Sequence, residues 1–102
     1  MDRDLFYSEV YSVVGEIPAG NVMTYKQIAN LIGYVQHSRM VGQALSSVPP
    51  ELCLPCHRVV NSCGRLVPEW TEQRDLLEAE GVLFKSNGCV DMKRNQWHPE
   101  CG

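Results

Sequence analysis

The sequence predicts an α+β domain, mostly helical, built around a winged helix-turn-helix with a short strand pair and a C-terminal hairpin. Three observations carry that prediction. Apolar residues recur at helical spacing in separate segments, two short helical segments follow one another across a tight turn, and an Asn-Gly turn lies between two apolar runs near the C-terminus. At 102 residues the chain is expected to form one domain over 1–102, since two independent cores of ordinary size do not fit this length.

The first helix is read from Phe6, Val10, Val13, Val14 and Ile17, a stripe at three- and four-residue spacing that stops at Pro18-Ala19-Gly20. After a short extended Val22-Met23, Thr24 and Gln27 have capping-box spacing and Gly33 supplies a stop, which places a second helix at about 25–32. Residues 34–37 connect it to a third, with Val41, Ala44, Leu45 and Val48 on one face and Pro49-Pro50 closing it. Two short helices joined this tightly have the form of a helix-turn-helix. Residues 52–60 read as extended around Pro55, Asn61-Ser62-Cys63-Gly64 as a turn, and Arg65-Leu66-Val67 as a wing strand. Thr71 is placed to cap a last helix through Leu76 and Leu77 to Glu80, with Gly81 at its end. Beyond it, residues 82–84 and 89–92 flank Ser86-Asn87-Gly88 as a hairpin.

Nine basic against twelve acidic residues give a net charge of −3, which argues against binding nucleic acid by bulk electrostatics. The charge is unevenly spread. Lys26, Arg39, Arg58 and Arg65 against Glu51 leave residues 17–68 at +3, while five basic and eleven acidic groups put the flanks at −6. A basic centre between acidic flanks suits a protein that meets DNA over a small face with few phosphate contacts. The N-terminal segment has charges scattered among its apolar positions, unlike a signal peptide, and no stretch approaches the roughly 20 apolar residues of a membrane span. A cytoplasmic protein with no membrane contact is expected, and in that setting five cysteines read as reduced thiols, catalytic groups or metal ligands.

Cys53-Leu54-Pro55-Cys56-His57 is the most informative string in the chain. Its spacing fits haem attachment, a dithiol redox centre, or zinc ligation together with Cys63, and the two cysteines could equally be buried structural residues. The remaining reading is a thiolate nucleophile, in which a base takes the thiol proton and a third group orients the base. Cys56 and His57 would be the first two. Neighbours on an extended strand point to opposite faces, so this pair needs an irregular backbone or a bridging water. Glu80 is the candidate third member.

Pro55-Cys56-His57-Arg58-Val59-Val60 resembles the active-site signature of the O6-alkylguanine-DNA alkyltransferase family. Other blocks agree in order. Residues 17–22 with Thr24-Tyr25 resemble the family's entry to its helix-turn-helix, Arg39 to Leu45 its recognition helix, and Leu76 to Gly81 the helix ending in the catalytic glutamate. The resemblance implies the fold of the alkyltransferase C-terminal type. It implies that Cys56 accepts the alkyl group from guanine O6 in a single turnover, that His57 deprotonates it through a water, and that Glu80 orients His57. Tyr25 would assist beside the flipped base, and Arg39 would fill the gap left in the duplex. Ser38, Met40 and Gly42 would lie on the DNA side of a helix set in the minor groove, and Arg58 would join the DNA-binding residues. It implies no cofactor and no metal, duplex DNA bearing O6-alkylguanine as the partner of a monomer, and nucleotide excision repair proteins as further partners.

The chain departs from the family in several respects. The longer alkyltransferases carry an N-terminal domain that this sequence is expected to do without. The lid is shortened to residues 66–71, and Val48 stands where active members usually have asparagine. These features are similar to the alkyltransferase-like branch, which binds O6-alkylguanine without removing the alkyl group and flags it for excision repair. That branch usually carries tryptophan at the position of Cys56. Since a Cys-His-Glu set has little use in pure binding, transfer is the expected activity and lesion sensing the alternative.

Overall fold

The first helix forms because a cap and an apolar stripe coincide. The computed structural model describes residues 2–99. In it Asp2 accepts backbone hydrogen bonds from Asp4 and Leu5 at 3.0 and 3.3 Å and starts helix α1, Arg3–Gly15. Phe6, Val10 and Val14 recur every four residues along one side and are buried there, and Ile17 extends the same face past the helix end.

Strand β1, Met23–Thr24, leads into α2, Tyr25–Leu31, through the expected capping box. The Gln27 amide donates to Thr24 Oγ1 at 2.9 Å, and the Gln27 side chain accepts from the Thr24 amide at 3.3 Å. Gly33, at φ +88°, turns the chain out of α2 in the left-handed conformation that glycine adopts without strain. Helix α3, Ser38–Ser46, buries Val41 and Ala44 against α1 and α2, which completes the helix-turn-helix.

The cysteine segment departs from the extended reading. It contains two 3₁₀ turns, Pro50–Leu52 and Cys56–Arg58, and becomes extended only at β2, Val59–Val60. Strand β2 pairs in parallel with β1, Met23 opposite Val59 and Thr24 opposite Val60. This pair bridges the two halves of the chain.

Arg65-Leu66-Val67 forms no wing strand. Its backbone groups are engaged elsewhere: the Arg65 carbonyl closes the turn to Asn61 at 3.2 Å, and the Val67 amide donates to a side chain, Gln73 Oε1, at 2.8 Å. Pro68 then has no amide to offer a ladder. Helix α4, Glu72–Ala79, occupies the expected place, with Thr71 at the N-cap position but making no side-chain cap bond. The C-terminal hairpin is present, with Phe84 bridged to Val90 around Gly88. Helix α4 is not the last: a single turn, α5 at Met92–Asn95, follows the hairpin. Its carbonyl end meets the Val22 amide at 2.9 Å, and the Trp97 amide donates to the Val22 carbonyl at 2.8 Å, so the tail lies alongside the start of β1. Among the described residues no helix is long and apolar enough to cross a membrane.

Candidate active site

Cys56 sits where the chain turns sharply twice. Cys53 adopts the left-handed conformation at φ +50°, and at Pro55 the Cys56 amide donates back to the Leu54 carbonyl at 2.9 Å, a γ-turn. The following 3₁₀ turn has three residues per revolution, so Cys56, His57 and Arg58 point about 120° apart instead of alternating across a strand. That geometry lets two consecutive residues reach one carboxylate. His57 Nε2 lies 2.9 Å from Glu80 Oε2, while Arg58 donates from Nε to Oε1 at 2.9 Å and from Nη2 to Oε2 at 2.6 Å. Arg58 Nη1 also donates to the Ile17 carbonyl at 2.7 Å, which ties the cluster to the end of the first helical stripe.

The Arg58 hydrogen bonds, helped by those of His57, hold the Glu80 carboxyl at about 2 against the upward push of burial. Glu80 is therefore ionised across the physiological range and can only accept. His57 must then present Nε2–H to it, which in the neutral ring leaves the Nδ1 lone pair to receive a proton. Burial pushes the Cys56 thiol up, so it rests protonated at neutral pH. Burial, and to a lesser degree Cys56 itself, pushes the Tyr25 hydroxyl up as well. The thiol is thus protonated, and the next residue along the chain is an imidazole oriented by a carboxylate.

Cys56 opens into a cavity of about 190 Å³ that it lines with Tyr25, Gly42, Leu45, Ser46, Val67 and Trp70. This is below the roughly 300 Å³ at which drug-sized pockets begin, a size for one planar group. Two wider grooves share its rim. One of about 380 Å³ runs along Ser38, Arg39, Gly42 and Tyr25, and one of about 620 Å³ continues past Arg39, Gln43 and Ser46 to Arg3 and Tyr7. Arg39, Gly42, Gln43 and Ser46 fall at i, i+3, i+4 and i+7, so α3 turns one polar face to the groove while Val41 and Ala44 anchor the other in the core. A Cβ at Gly42 would stand 4.0 Å from the Tyr25 ring, so the absent side chain keeps the groove open beside Tyr25.

The family model for the 6-O-methylguanine DNA methyltransferase DNA-binding domain matches residues 5–82. The chain belongs to this family. It is 39% identical to alkyltransferase-like protein 1 of Schizosaccharomyces pombe, over 97% of this chain and 100% of that one. It is 47% identical to a methylated-DNA–protein-cysteine methyltransferase of Saccharolobus islandicus over 76% of this chain, which spans 51% of that longer relative. The crystal structure of S. pombe Atl1 in complex with damaged DNA containing O6-carboxymethylguanine superposes with a TM-score of 0.84 at 39% identity, over 97% of this chain and all of the other.

Within this alkyltransferase-type fold the residues singled out from sequence separate into three groups. Cys56, Tyr25 and Gly42 line one cavity, and Ser38 and Arg39 line the groove leading to it. His57, Arg58 and Glu80 form a polar cluster behind the cysteine turn. Arg58 was expected to face DNA, yet its guanidinium is held inward by Glu80 and Ile17, because the 3₁₀ turn rotates it toward the end of α4. Met40 was expected beside Arg39 on the open face, yet it is half-buried and packs against the helical core, because one residue along a helix rotates by about 100°. Among the described residues no three His, Cys, Asp or Glu side chains gather as metal ligands.

Sequence reasoning missed Gln73. Its fully buried side chain donates to the carbonyls of His57 at 3.1 Å and Val59 at 3.2 Å and accepts from Val67, fastening the shortened lid to the cysteine turn. The signal was present, since Gln73 lies four residues before the buried Leu77 and so on the inward face of α4. Val67, read from sequence as wing strand and lid, and Trp70, read as lid, both line the Cys56 cavity.

Proposed function

We propose that this chain recognises O6-alkylguanine extruded from duplex DNA and transfers the alkyl group to Cys56 Sγ. The observation that carries the reading is the position of Cys56: its side chain opens into a small, half-open cavity that Tyr25 also lines, while the next residue, His57, is held by ionised Glu80. A guanine O6 within the stack is out of reach of this cavity, so the nucleotide must rotate out at a cost of a few kcal/mol. Exposed Arg39, on the groove face of α3, is placed to fill the vacated position.

The thiol proton passes to His57, through a water where the ring does not reach it directly, and Glu80 stabilises the imidazolium that results. The thiolate attacks the alkyl carbon. A C–S bond forms, the C–O6 bond breaks, and its electron pair returns to the guanine oxygen, where the Tyr25 hydroxyl can donate. The thioether is stable, so each molecule acts once. Arg58 serves as a positioning residue, fixing the carboxylate that orients the base.

Lesion binding without transfer is the second reading. It is favoured by the full-length likeness to alkyltransferase-like protein 1 and by the burial that keeps the Cys56 thiol protonated. Mass spectrometry of the intact protein separates the two. Incubation with duplex oligonucleotide containing O6-methylguanine should add one methyl group to the wild-type chain and none to Cys56→Ala. Tight lesion binding with no mass gain would overturn transfer and establish the sensor.

A further inference from the structure

Two side chains of the segment 66–71, Val67 and Trp70, form part of the cavity wall. Val67 and Trp70 belong to one turn, closed by the Trp70 amide donating to the Val67 carbonyl at 3.1 Å. The Gln73 amide donates to the Trp70 carbonyl at 3.2 Å, and the Gln73 side chain locks the Val67 amide to the cysteine turn. Trp70 is thus set in place from both sides before any ligand arrives.

Its place is selective. Tyr25, Gly42, Ser46 and Val67 are shared between the smaller cavity and the open groove, but Trp70, like Cys56 and Leu45, lines the smaller cavity and not the groove. Trp70 is only half-buried, so part of a large aromatic surface stays unused by the core. The rest of the lining offers one other aromatic, Tyr25, two polar side chains, Ser46 and Cys56, and otherwise Gly42, Leu45 and Val67. A preformed, partly exposed indole at the mouth of a base-sized cavity is suited to stacking on a planar base.

We infer that Trp70 is the stacking wall for the extruded base, and that the lid turn, clamped by Gln73, is the element that retains a purine beside Cys56. The inference rests on the proposed reading of the cavity as a flipped-base site. It assigns the segment 66–71 a binding role through an aromatic face.

The test measures binding with transfer removed, in the full chain carrying Cys56→Ser, using duplex oligonucleotide with and without O6-methylguanine. Trp70→Leu keeps the apolar volume and loses the π-face, so affinity for the lesion duplex should fall roughly tenfold, with affinity for the undamaged duplex unchanged. Trp70→Phe should restore most of the loss. With Trp97→Phe leaving Trp70 as the remaining indole, its emission should be quenched by the lesion duplex and not by the undamaged one. Lesion affinity unchanged in Trp70→Leu, or unquenched emission while a flipped-base reporter brightens, would overturn the inference and leave the base-flipping reading intact. Equal affinity of the Cys56→Ser chain for both duplexes would overturn that reading and the inference with it.

Discussion

The helix-turn-helix half and the cysteine half of this molecule are held by different forces. From Arg3 to Ser46, three helices close on an apolar cluster that includes Phe6, Val10, Val14, Ile28, Val41 and Ala44. From Pro50 onward the apolar cluster is smaller, built on Val60, Leu77, Val82 and Val90 with Val22 from the first half, and buried polar side chains do much of the joining. Gln73 bonds three backbone groups, Asn95 donates to the carbonyls of Leu83 and Asp91, and Glu80 gathers His57 and Arg58. The first half is a platform whose apolar packing tolerates an open polar face on α3. The second holds a reactive turn in one geometry, which hydrogen bonds with fixed directions achieve and nondirectional apolar contact does not.

The sharpest way to break the platform is Phe6→Ala. Phe6 is 1% exposed and packs edge-on against Tyr34 at 5.2 Å between centroids, so truncation should cost about 3–5 kcal/mol in urea unfolding. In the cysteine half the matching change is Gln73→Leu, which leaves buried carbonyls and an amide without partners. It should cost about 2–3 kcal/mol and, unlike Phe6→Ala read on the fraction still folded, should also weaken lesion binding because the lid comes loose.

Acid provides a second probe of the same half. The Glu80 carboxyl titrates at about 2 in the folded chain, below its value of 4.5 when unperturbed. Its contribution to stability is therefore complete above about pH 4.5 and is lost as pH falls toward about 2. Glu80→Gln should flatten that part of the stability profile measured by circular dichroism, leaving a shallower acid limb. Thr24→Ala removes the capping bond at the head of α2 and should cost about 1 kcal/mol, with Thr24→Ser recovering most of it. The smallest effect on stability is expected from Arg39→Ala, within about 0.5 kcal/mol, since Arg39 is exposed. Its consequence should appear instead as reduced brightness of a flipped-base fluorescent reporter in lesion duplex.

The two halves also differ in how far they could be read before folding. The stripe of α1, the Thr24–Gln27 box, the Gly33 stop and the Val41–Ala44 face of α3 depend on residues within about four positions of one another and stand as the pattern implied, whereas α3 ends at Ser46 and leaves Val48 outside the helix. The Asp2 cap of α1 stands four residues ahead of Phe6, where the apolar stripe begins, so the stripe does not mark it. In the cysteine half local pattern misled. An apolar run with prolines reads as extended, but Pro50 opens a 3₁₀ turn and Pro55 a γ-turn, and Arg65 to Val67 has strand composition without a strand beside it to complete a ladder.

The sequence alone determined the four longer helices, the Thr24 cap of α2 and the presence of a cysteine next to a histidine, because those follow from short-range periodicity, side-chain capping and residue chemistry. Only the tertiary structure decided what the pair does with its neighbours. Glu80 reaches His57 across 23 positions, Arg58 reaches Ile17 across 41, and Gln73 reaches Val59 across 14. Such contacts form only after loop closure brings distant segments together, and their worth depends on burial that no single segment possesses by itself. The same closure turned Arg58 inward, packed Met40 against the core, and set Trp70 and Cys56 in the wall of one cavity.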